Sequence, residues 1–415
     1  MENQIKLDFE NFLNKEKFSS SQIQIKKNNF NEFVKKGFPN KRIEDWKFSD
    51  LNQIIQTNIK KLNFINSDIK KEDFEITTVK DFEHNKIIFL DGIILKVDFT
   101  FEENDKILIQ QNHNINDDKI ENSLVSLNSA FVSNYIKFTV KKGYEVKKPL
   151  IFYNYLTSDI TSSALNLRID IDLEDGSSLS IVDLSNQNLN NNFINLRQNF
   201  HIGENAILKK YFLDTGNSPN IKYIYNNLDL SKNSHLEYFI LSSGSKFLKN
   251  DIICSLNDEY GSISLNGVIN LNGEKHHEIK TVINHKDENC KSYQLIKCVL
   301  TDKSKGVYQG KIYVNNKAQK TDGYQLSRAL LLNDQTEFNA KPELEIYADD
   351  VKCSHGSTSG NIDEDFIFYL MSRGLSYEQS KQLLVNGFLH EVLEKITDEK
   401  IKIFIKKLTG LENEY

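Results

Sequence analysis

Short segments in which apolar and polar residues alternate follow one another through the middle of the chain, from about residue 130 to residue 350. Alternation with a period of two places the apolar side chains on one face of an extended strand, so each segment is predicted to be a β-strand. No helical segment of convincing length separates them, which argues against a doubly wound α/β sheet. The predicted strands are 178–184, 206–213, 235–241, 262–271, 277–285, 293–300, 307–314 and 344–351.

The N-terminal part of the chain has the periodicity of helices instead. Ile5, Phe9 and Phe12 are spaced so that they share one face of a helix. A second helical stretch at 23–36 ends at Gly37, which is followed closely by proline and is a typical stop signal.

The C-terminal part is also predicted to be helical. A helix at 363–373 stops at Gly374, Ser376 and Gln379 form a capping box that begins the next helix, and a last helix ends before Gly410. We therefore predict a mainly β protein in three parts: an N-terminal helical and mixed region at 1–125, a β core at 126–355 and a C-terminal helical domain at 356–415.

Few residues that build tight turns are available: 18 glycines and 4 prolines among 415 residues. A large protein made of β-hairpins would use more of both, and the Asn-Gly pairs at 266–267 and 272–273 are too few for so many strands. A parallel coil of strands, a β-helix, that turns its corners through longer polar loops fits this composition better. Periodicity alone leaves a β-sandwich open.

Composition and charge exclude several classes of protein. Hydrophobic residues make up 39% of the chain and charged residues 27%, as in ordinary globular proteins. The 52 basic and 58 acidic residues give a net charge of −6, whereas a nucleic-acid-binding protein should be basic. No apolar run reaches the roughly 20 residues of a membrane-spanning helix, and the first residues lack the pattern of a secretion signal. We expect a cytoplasmic protein that binds neither nucleic acid nor a membrane.

The densest group of potential metal ligands contains His276, His277, His285, Cys290 and Cys298. His277 and His285 are eight residues apart, which is about 26 Å along one strand at ~3.3 Å per residue. They would share a metal ion only if the chain folded back between them. We therefore interpret this group as structural residues of consecutive strands. The four cysteines of the chain form no Cys-x-x-Cys pair, which excludes a four-cysteine metal site of ordinary spacing.

A second candidate site is the pair Cys353 and His355. The two residues are two positions apart, so on a strand they face the same side, and a thiolate with an imidazole suits iron, zinc or copper. Two ligands cannot complete a four-coordinate site, so other residues of this chain or a partner must complete it. The alternatives are a buried cysteine with a structural histidine, and a Cys–His hydrolase, for which no third group or oxyanion hole is evident nearby.

Two further features are interpreted as structural. The segment 356–360, Gly-Ser-Thr-Ser-Gly, is predicted to be a loop before a helix, and it lacks the Gly-Lys-Ser/Thr ending of a nucleotide-binding loop. Trp46 is the single tryptophan of the chain and is expected to be a packing residue.

Residues 341–356, Lys-Pro-Glu-Leu-Glu-Ile-Tyr-Ala-Asp-Asp-Val-Lys-Cys-Ser-His-Gly, resemble the SufB/SufD family of iron–sulfur cluster assembly proteins. The similarity extends over nearly the whole chain and is dense between 300 and 375. Further family-like segments are 37–51 with its Glu-Asp-Trp, 127–131, Val307-Tyr-Gln-Gly310, Ala318-Gln319, Tyr324-Gln325, 330–332, 360–363, 366–369 and 372–374.

The resemblance implies a right-handed parallel β-helix core flanked by helical regions, in a complex with one SufB chain and two copies of the ATPase SufC. In such a complex the β-helix pairs with SufB, and a transient iron–sulfur cluster forms at that interface with His355 as a ligand and Cys353 beside it. The C-terminal helices dock SufC, with Phe366, Tyr369, Arg373, Gly374 and Phe388 as candidate contacts. The resemblance also leads us to consider a reduced flavin bound to the complex and a homodimer of the isolated chain.

The function implied by the resemblance is a non-catalytic scaffold. The rival hypothesis is a carbohydrate-active or adhesive β-helix, but such proteins are usually exported and this sequence shows no secretion signal. A structural homodimer without metal is a third alternative.

Overall fold

The computed structural model describes residues 2–15, 18–64, 76–111, 115, 121–133, 135–157, 160–185 and 190–411. Within them the chain forms a parallel β-solenoid of about eight coils, built from a ten-stranded sheet and a nine-stranded sheet. Beyond the first four strands, successive strands alternate between the two sheets, and neighbours within a sheet are parallel except at the N-terminal end. This arrangement confirms the prediction of a β-helix over a β-sandwich.

Each coil contributes one strand to each sheet. From the N-terminal to the C-terminal end of the solenoid, the ten-stranded sheet contains β2 (Ile93–Asp98), β1 (Asn85–Leu90), β5 (Leu150–Tyr155), β7 (Ser178–Ser185), β9 (Ile207–Asp214), β11 (His235–Ser242), β13 (Ser262–Leu271), β15 (Lys291–Leu300), β17 (Asp322–Leu331) and β19 (Lys352–Gly360). The nine-stranded sheet contains β3 (Ile107–Gln111), β4 (Tyr135–Val140), β6 (Ala164–Leu173), β8 (Phe193–Ile202), β10 (Ser218–Leu230), β12 (Ser245–Leu256), β14 (His276–His285), β16 (Lys305–Val314) and β18 (Glu337–Ile346).

One corner of the solenoid repeats a left-handed residue in each coil. The residues with positive φ at this corner are Gly143, Gly176, Asn205, Asn233, Tyr260, Asn289 and Lys320. The N–H of Asn233 donates to the carbonyl of Glu259 in the next coil (2.9 Å). The equivalent residues of the other coils make the same bond. Asparagine adopts the left-handed conformation more readily than most residues, so this corner needs little glycine.

The connections between strands are polar and mostly longer than a two-residue hairpin turn. Four residues separate β10 from β11, five separate β12 from β13 and seven separate β16 from β17, whereas only Ser243 and Gly244 separate β11 from β12. These corners agree with the expectation of longer polar loops. Asparagine at three of the repeated positive-φ positions lowers the need for glycine further.

The predicted strand at 344–351 is also wrong in its position. The structure has β18 at Glu337–Ile346, and residues 347–351 form the corner that follows. The last coil has no further coil to cover it, so its residues are more exposed and its apolar alternation is weaker. The period-two pattern therefore does not mark its boundaries.

The N-terminal helices pack on the outer face of the nine-stranded sheet. They are α1 (Glu2–Lys15), α2 (Ser20–Lys36), α3 (Leu51–Asn58) and α4 (Ser123–Phe131). Phe9 and Phe30 of the first two helices stack on each other and pack with Phe131, and this cluster continues onto Phe193 and Tyr223 of the sheet. Helix α2 ends at Gly37, as the sequence predicts.

The C-terminal helices are α5 (Glu364–Ser372), α6 (Tyr377–Leu393) and α7 (Glu399–Thr409). Helices α6 and α7 bury Val385, Leu389 and Ile405 in a cluster with the outer face of the ten-stranded sheet. The buried carboxylate of Glu237 fixes the connection between them, because it accepts hydrogen bonds from Thr397. The predicted capping box at the start of α6 and the glycine after α7 are both confirmed.

The segment 37–51, which we call the strap, crosses the outer face of the nine-stranded sheet towards its C-terminal end. Trp46 is 3% exposed and lies 5.7 Å from the ring of Tyr223 on β10, measured between centroids. Asp45 pairs with Lys280 on β14 (2.5 Å), and Glu44 pairs with Lys341 on β18 (2.5 Å). The tryptophan is a packing residue, as expected.

The sheets begin before residue 126 of the chain. Strand β1 belongs to the ten-stranded sheet and pairs in parallel with β5. In the described part of the chain, no helix has both the length and the hydrophobicity to cross a bilayer.

Candidate functional site

The C-terminal end of the solenoid is open. Strands β18 and β19 are the outermost strands of their sheets, and within the described residues each pairs with only one neighbouring strand. Their free edges present backbone N–H and C=O groups that can pair with a strand of another chain. The candidate residues Cys353 and His355 both lie on β19.

Cys353 and His355 face the interior of the solenoid. In the parallel register of β19 and β17, Cys353 lies beside Gly323 and His355 beside Gln325. Gly323 and Gln325 are buried, whereas Tyr324 between them is partly exposed, which identifies the inward side. The two candidate ligands therefore share one face of a strand, as their spacing requires.

The thiol of Cys353 is half-buried at the edge of a small apolar cluster. Its neighbours there include Ile312 and Ala348, and Gly323 leaves room beside its Sγ atom. Burial raises the pKa of the Cys353 thiol, although a hydrogen bond with the backbone of Gly323 opposes this effect. A thiol with a raised pKa is not an activated nucleophile, so the geometry does not favour a Cys–His hydrolase.

A recess of about 550 Å³ opens beside this cysteine. It is lined by Tyr293, Asp322, Gly323, Tyr324, Lys352, Cys353 and Ser354. The rings of Tyr293 and Tyr324 stack with 5.2 Å between their centroids and form one wall. The recess therefore lies on the outer side of the ten-stranded sheet, next to the half-buried Cys353.

His355 is exposed at the same end. Its imidazole has no hydrogen-bond partner among the residues that the structure describes, so both ring nitrogens are free to bind a ligand or a partner. Two residues further along β19, Ser357 accepts a hydrogen bond from Ser327 of β17 (2.9 Å). This bond ties the last strand to the preceding coil next to the histidine.

No three histidine, cysteine or acidic side chains come together anywhere in the described ranges. Upstream of the cysteine, Asp350 pairs with Lys320 and is not directed to His355. The open end therefore offers two potential ligands. A metal ion or cluster with four ligands needs further ligands from a second chain.

The other group of histidines and cysteines is distributed within the solenoid. The ring nitrogens of His277 contact the hydroxyl of Ser242 (2.7 Å) and the carbonyl of Ser245 (2.6 Å). His285 contacts the hydroxyl of Ser292 (2.9 Å). Cys290 and Cys298 are fully buried, and burial raises the pKa of both thiols, that of Cys290 to about 11. These contacts give the group structural roles.

The predicted loop at 356–360 is instead the second half of β19. Its residues pair with β17 as far as Leu330 and Gly360, and the N-cap of the next helix is Asp363. The small polar residues of this segment resemble a loop in sequence. They form a strand because the preceding coil supplies a complete ladder of backbone partners.

The predicted SufC contacts fall into two groups. On and after α5, Phe366 is 60% exposed and Tyr369 is 54% exposed; Arg373 lies over the ring of Tyr369 and Gly374 ends the turn. Phe388 on α6 is partly buried, because Lys297 of β15 lies 4.4 Å from its ring and donates to its carbonyl (2.5 Å).

The sequence interpretation missed two exposed apolar residues on α5. Phe368 is 75% exposed and Met371 is 43% exposed, whereas Ile367 is the buried residue of this helix. A usable signal was present: a short helix that is apolar on every side cannot bury all of its faces against one domain.

Comparisons with known proteins identify the family. The model of the SUF system FeS cluster assembly SufBD core domain matches residues 155–388. The chain is 27% identical over 378 residues to the iron-sulfur cluster assembly protein SufD of Escherichia coli (strain K12), which covers 89% of this chain and 88% of that protein. It is 26% identical over 288 residues to SufD of Bacillus subtilis (strain 168), which covers 68% and 65%. Protein ABCI7, chloroplastic, of Arabidopsis thaliana is 42% identical over 112 residues, 27% of this chain and 24% of that protein.

The SufD side of the family fits best. The length of about 415 residues and the Asp-Val-Lys-Cys-Ser-His-Gly run favour SufD over SufB, and the long matches to SufD proteins confirm this expectation. Since the family model covers more than half of the sequence, the chain belongs to the SufB/SufD family of the SUF iron–sulfur cluster assembly system.

Proposed function

We propose that this chain is a non-catalytic scaffold subunit that pairs with SufB through the open end of its solenoid and contributes His355 to a nascent iron–sulfur cluster. The observation that supports this most directly is the pair of inward-facing potential ligands, Cys353 and His355, on an edge strand that has one free side. The free side of an edge strand suits pairing with a second β-helix. An incomplete ligand set suits a cluster that is cargo shared between two chains.

We propose that the three predicted regions of the chain take different parts in this role. The region 1–125 holds the strap, the core 126–355 carries the cluster end, and the domain 356–415 docks the ATPase. Three further expectations remain predictions: a cytoplasmic location, a homodimer of the isolated chain and a reduced flavin bound to the complex.

The docking of SufC is proposed for the face of α5. Phe366, Phe368, Tyr369 and Met371 are large apolar residues exposed on one short helix, and such a patch is typical of an interaction site. Phe388 is a weaker candidate, because it is already engaged with Lys297. ATP-driven rearrangement of the two SufC subunits of the complex would alter the relative stability of the SufB-paired states.

The ligand role is tested by substituting His355→Ala in the chain assembled with SufB and SufC, followed by anaerobic iron and sulfide reconstitution. We expect the complex to assemble and the cluster yield to be lost. Cys353→Ala forms a separate arm, and Ser354→Ala, which changes the neighbour between the two candidates, serves as the control. A normal cluster yield in His355→Ala would refute the ligand role.

The docking face is tested by substituting Phe368→Asp and measuring SufC binding in a pull-down and by calorimetry. We expect binding to fall at least tenfold. The matched control is Ile403→Asp on α7, an apolar residue that is 59% exposed but lies outside the proposed face. Unchanged binding in Phe368→Asp, or an equal loss in Ile403→Asp, would contradict this assignment.

Purification separates this proposal from the rival carbohydrate-active or adhesive β-helix. A scaffold of the SUF system co-purifies with an ABC-type ATPase when the chain is expressed with its neighbours. A β-helix that acts on carbohydrates does not bring such a protein with it.

A further inference from the structure

The segment 76–84, which we call the clasp, lies on the outer face of the ten-stranded sheet. It contains no regular helix or strand, and two tyrosines of β5 hold its backbone. The N–H of Val79 donates to the hydroxyl of Tyr153 (2.9 Å), and the hydroxyl of Tyr155 donates to the carbonyl of Thr77. The clasp is therefore attached to one of the first coils of the solenoid.

The other side of the clasp contacts helix α7. The rings of Phe82 and Phe404 meet edge to face, with 5.7 Å between their centroids. Asp81 pairs with Lys407 (2.6 Å). The clasp therefore connects the C-terminal helical domain to β5, although the two are more than 200 residues apart in sequence.

His84 at the end of the clasp links these contacts. It is 9% exposed, its Nδ1 atom lies 2.9 Å from the carbonyl of Phe82, and its Nε2 atom lies 2.8 Å from the hydroxyl of Tyr153. A carbonyl can only accept, so Nδ1 carries the hydrogen of the neutral imidazole. The Nε2 atom then offers its lone pair, and the hydroxyl of Tyr153 donates to it.

The hydroxyl of Tyr153 has room for the neutral imidazole only. It accepts from Val79 and donates to His84, and burial raises the pKa of Tyr153, so the hydroxyl keeps its proton. Protonation of His84 would place a hydrogen on Nε2. The hydrogens of the hydroxyl, of Val79 and of Nε2 would then compete around one oxygen atom, and a contact of the clasp would be lost.

The charges around His84 do not compensate for this loss. Burial lowers the pKa of His84, and the carbonyl of Phe82 and the carboxylate of Asp98 only oppose that shift. Among the described residues, no carboxylate accepts a hydrogen bond from the imidazole. The neighbouring charged groups are engaged with one another: Lys86 of β1 with Asp98 of β2 (3.4 Å), Glu83 with Lys148 before β5 (2.6 Å) and with Lys400 of α7 nearby, and Asp81 with Lys407.

We propose that His84 is a proton-sensitive lock that holds the clasp, and with it α7, on the sheet. The lock is closed while the imidazole is neutral and is weakened when the imidazole binds a proton. In the open clasp His84 binds a proton near pH 6.5, and in the closed clasp only at a lower pH, so the stabilisation is present above about pH 6.5 and is lost as the pH falls. This inference is independent of the proposed cluster ligand and of the docking of SufC.

The first test measures the tautomer of His84 in the full-length chain. The protein is labelled with ¹⁵N-histidine, and the ring nitrogen shifts are recorded at about pH 8, where the imidazole is neutral. The signals of His84 are assigned by their loss in His84→Gln. We expect the tautomer with hydrogen on Nδ1, which is the less common one in free histidine. Hydrogen on Nε2, or a mixture of both tautomers, would overturn the proposal.

The second test follows the opening of the clasp by hydrogen exchange, with peptides that cover residues 76–84 and α7. Rates at about pH 7.5 and about pH 5.5 are corrected for intrinsic exchange. We expect opening of the clasp to increase about three- to tenfold at the lower pH, the upper limit being set by the proton affinity of an exposed imidazole. Tyr153→Phe should open the clasp already at the higher pH, because it removes the acceptor of Val79 and the donor to His84.

Two variants isolate the effect of His84. His84→Gln keeps every other histidine, and its clasp should open equally at both pH values. His201→Gln removes an exposed histidine of β8 and should keep the response of the wild type. A clasp that does not respond to pH in the wild type, or that still responds in His84→Gln, would refute the lock. Unchanged protection of α7 while the clasp opens would refute its hold on the C-terminal domain.

Discussion

His277 shows how strongly the interior of the solenoid acts on a single side chain. It is fully buried, and its ring contacts the hydroxyl of Ser242 on one side and the carbonyl of Ser245 on the other. The carbonyl can only accept, so the nitrogen facing it carries a proton. Burial lowers the pKa of His277 from 6.5 to about 4, although Asp214 nearby opposes the shift.

This shift predicts a pH dependence of stability. The unfolded chain binds a proton near pH 6.5 and the folded chain only near pH 4, so the stabilising contribution is present above about 6.5 and is lost as the pH falls toward 4. Between pH 7 and pH 5 the loss is about 2 kcal/mol for this one residue. We expect His277→Gln to lose about 2 kcal/mol less than the wild type over this range in urea unfolding experiments.

The control is His201→Gln, which removes an exposed histidine from β8. Its stability should vary with pH as that of the wild type does. Equal pH dependence in the wild type and His277→Gln would show that the buried imidazole does not resist protonation.

Sequence reasoning at the scale of single residues succeeded where the period of the strand was enough. That Cys353 and His355 share a face follows from their spacing alone. The relation of His355 to Gln325 could not be predicted in this way, because the two residues are 30 positions apart. It depends on the coil-to-coil register, which the hydrophobic pattern of one strand does not specify.

The strap is the element whose attachment is easiest to dissect. It is held by two buried aromatic residues, Phe38 and Trp46, and by ion pairs that include Glu44 with Lys341 at the last coil. The carboxylate side of this pair is 70% exposed, and exposed ion pairs contribute little to stability. Truncation of a buried tryptophan costs about 3–5 kcal/mol.

We therefore predict that Trp46→Ala lowers the free energy of unfolding by about 3–5 kcal/mol, whereas Glu44→Gln leaves it nearly unchanged. Hydrogen exchange of residues 37–51 should accelerate in the tryptophan variant and not in the glutamate variant. Comparable effects of both substitutions would contradict this prediction, because the ion pair would then hold the strap as strongly as the aromatic contact.

Element boundaries were predictable to different degrees along the chain. Helix ends carry local signals such as the Ser376–Gln379 capping box and Gly410, and these were located correctly. Interior strands such as β13 and β15 alternate clearly because both sheets bury one face. The end coil has no neighbour beyond it, so β18 and the second half of β19 lack the pattern that marks a strand.

At the scale of the whole molecule, the two ends of the solenoid differ. At the N-terminal end the outermost strands are antiparallel to their neighbours, β2 to β1 and β3 to β4. Strand β2 is short and carries Lys96 and Asp98, and the pairing of β1 with β2 contains an irregularity at Ile88 and Phe89. Short, charged and irregular edges discourage pairing with further strands. The C-terminal end has parallel strands with free edges.

This difference predicts that strand pairing of the isolated chain occurs at β19. Neighbouring residues of a strand direct their backbone N–H groups to opposite sides. One of the two variants Thr358→Pro and Ser359→Pro therefore removes an N–H at the free edge, and the other removes an N–H that bonds to β17. The first should abolish self-association in sedimentation experiments and leave stability nearly unchanged. The second should destabilise the last coil.

The matched pair of prolines makes the result decisive. If self-association persists in both variants, the pairing surface lies elsewhere. If the wild type sediments as a monomer at all accessible concentrations, the free edge of β19 does not pair between copies of this chain.

The difference between the two ends of the solenoid also limits how many copies can assemble. A solenoid with two open ends could add copies without limit and form a filament, because each addition would regenerate the same adhesive surface. If two copies of this chain paired through their open ends, each would leave its N-terminal end outermost. Assembly would then stop at two solenoids, and the antiparallel edge strands β2 and β3 would prevent further polymerisation.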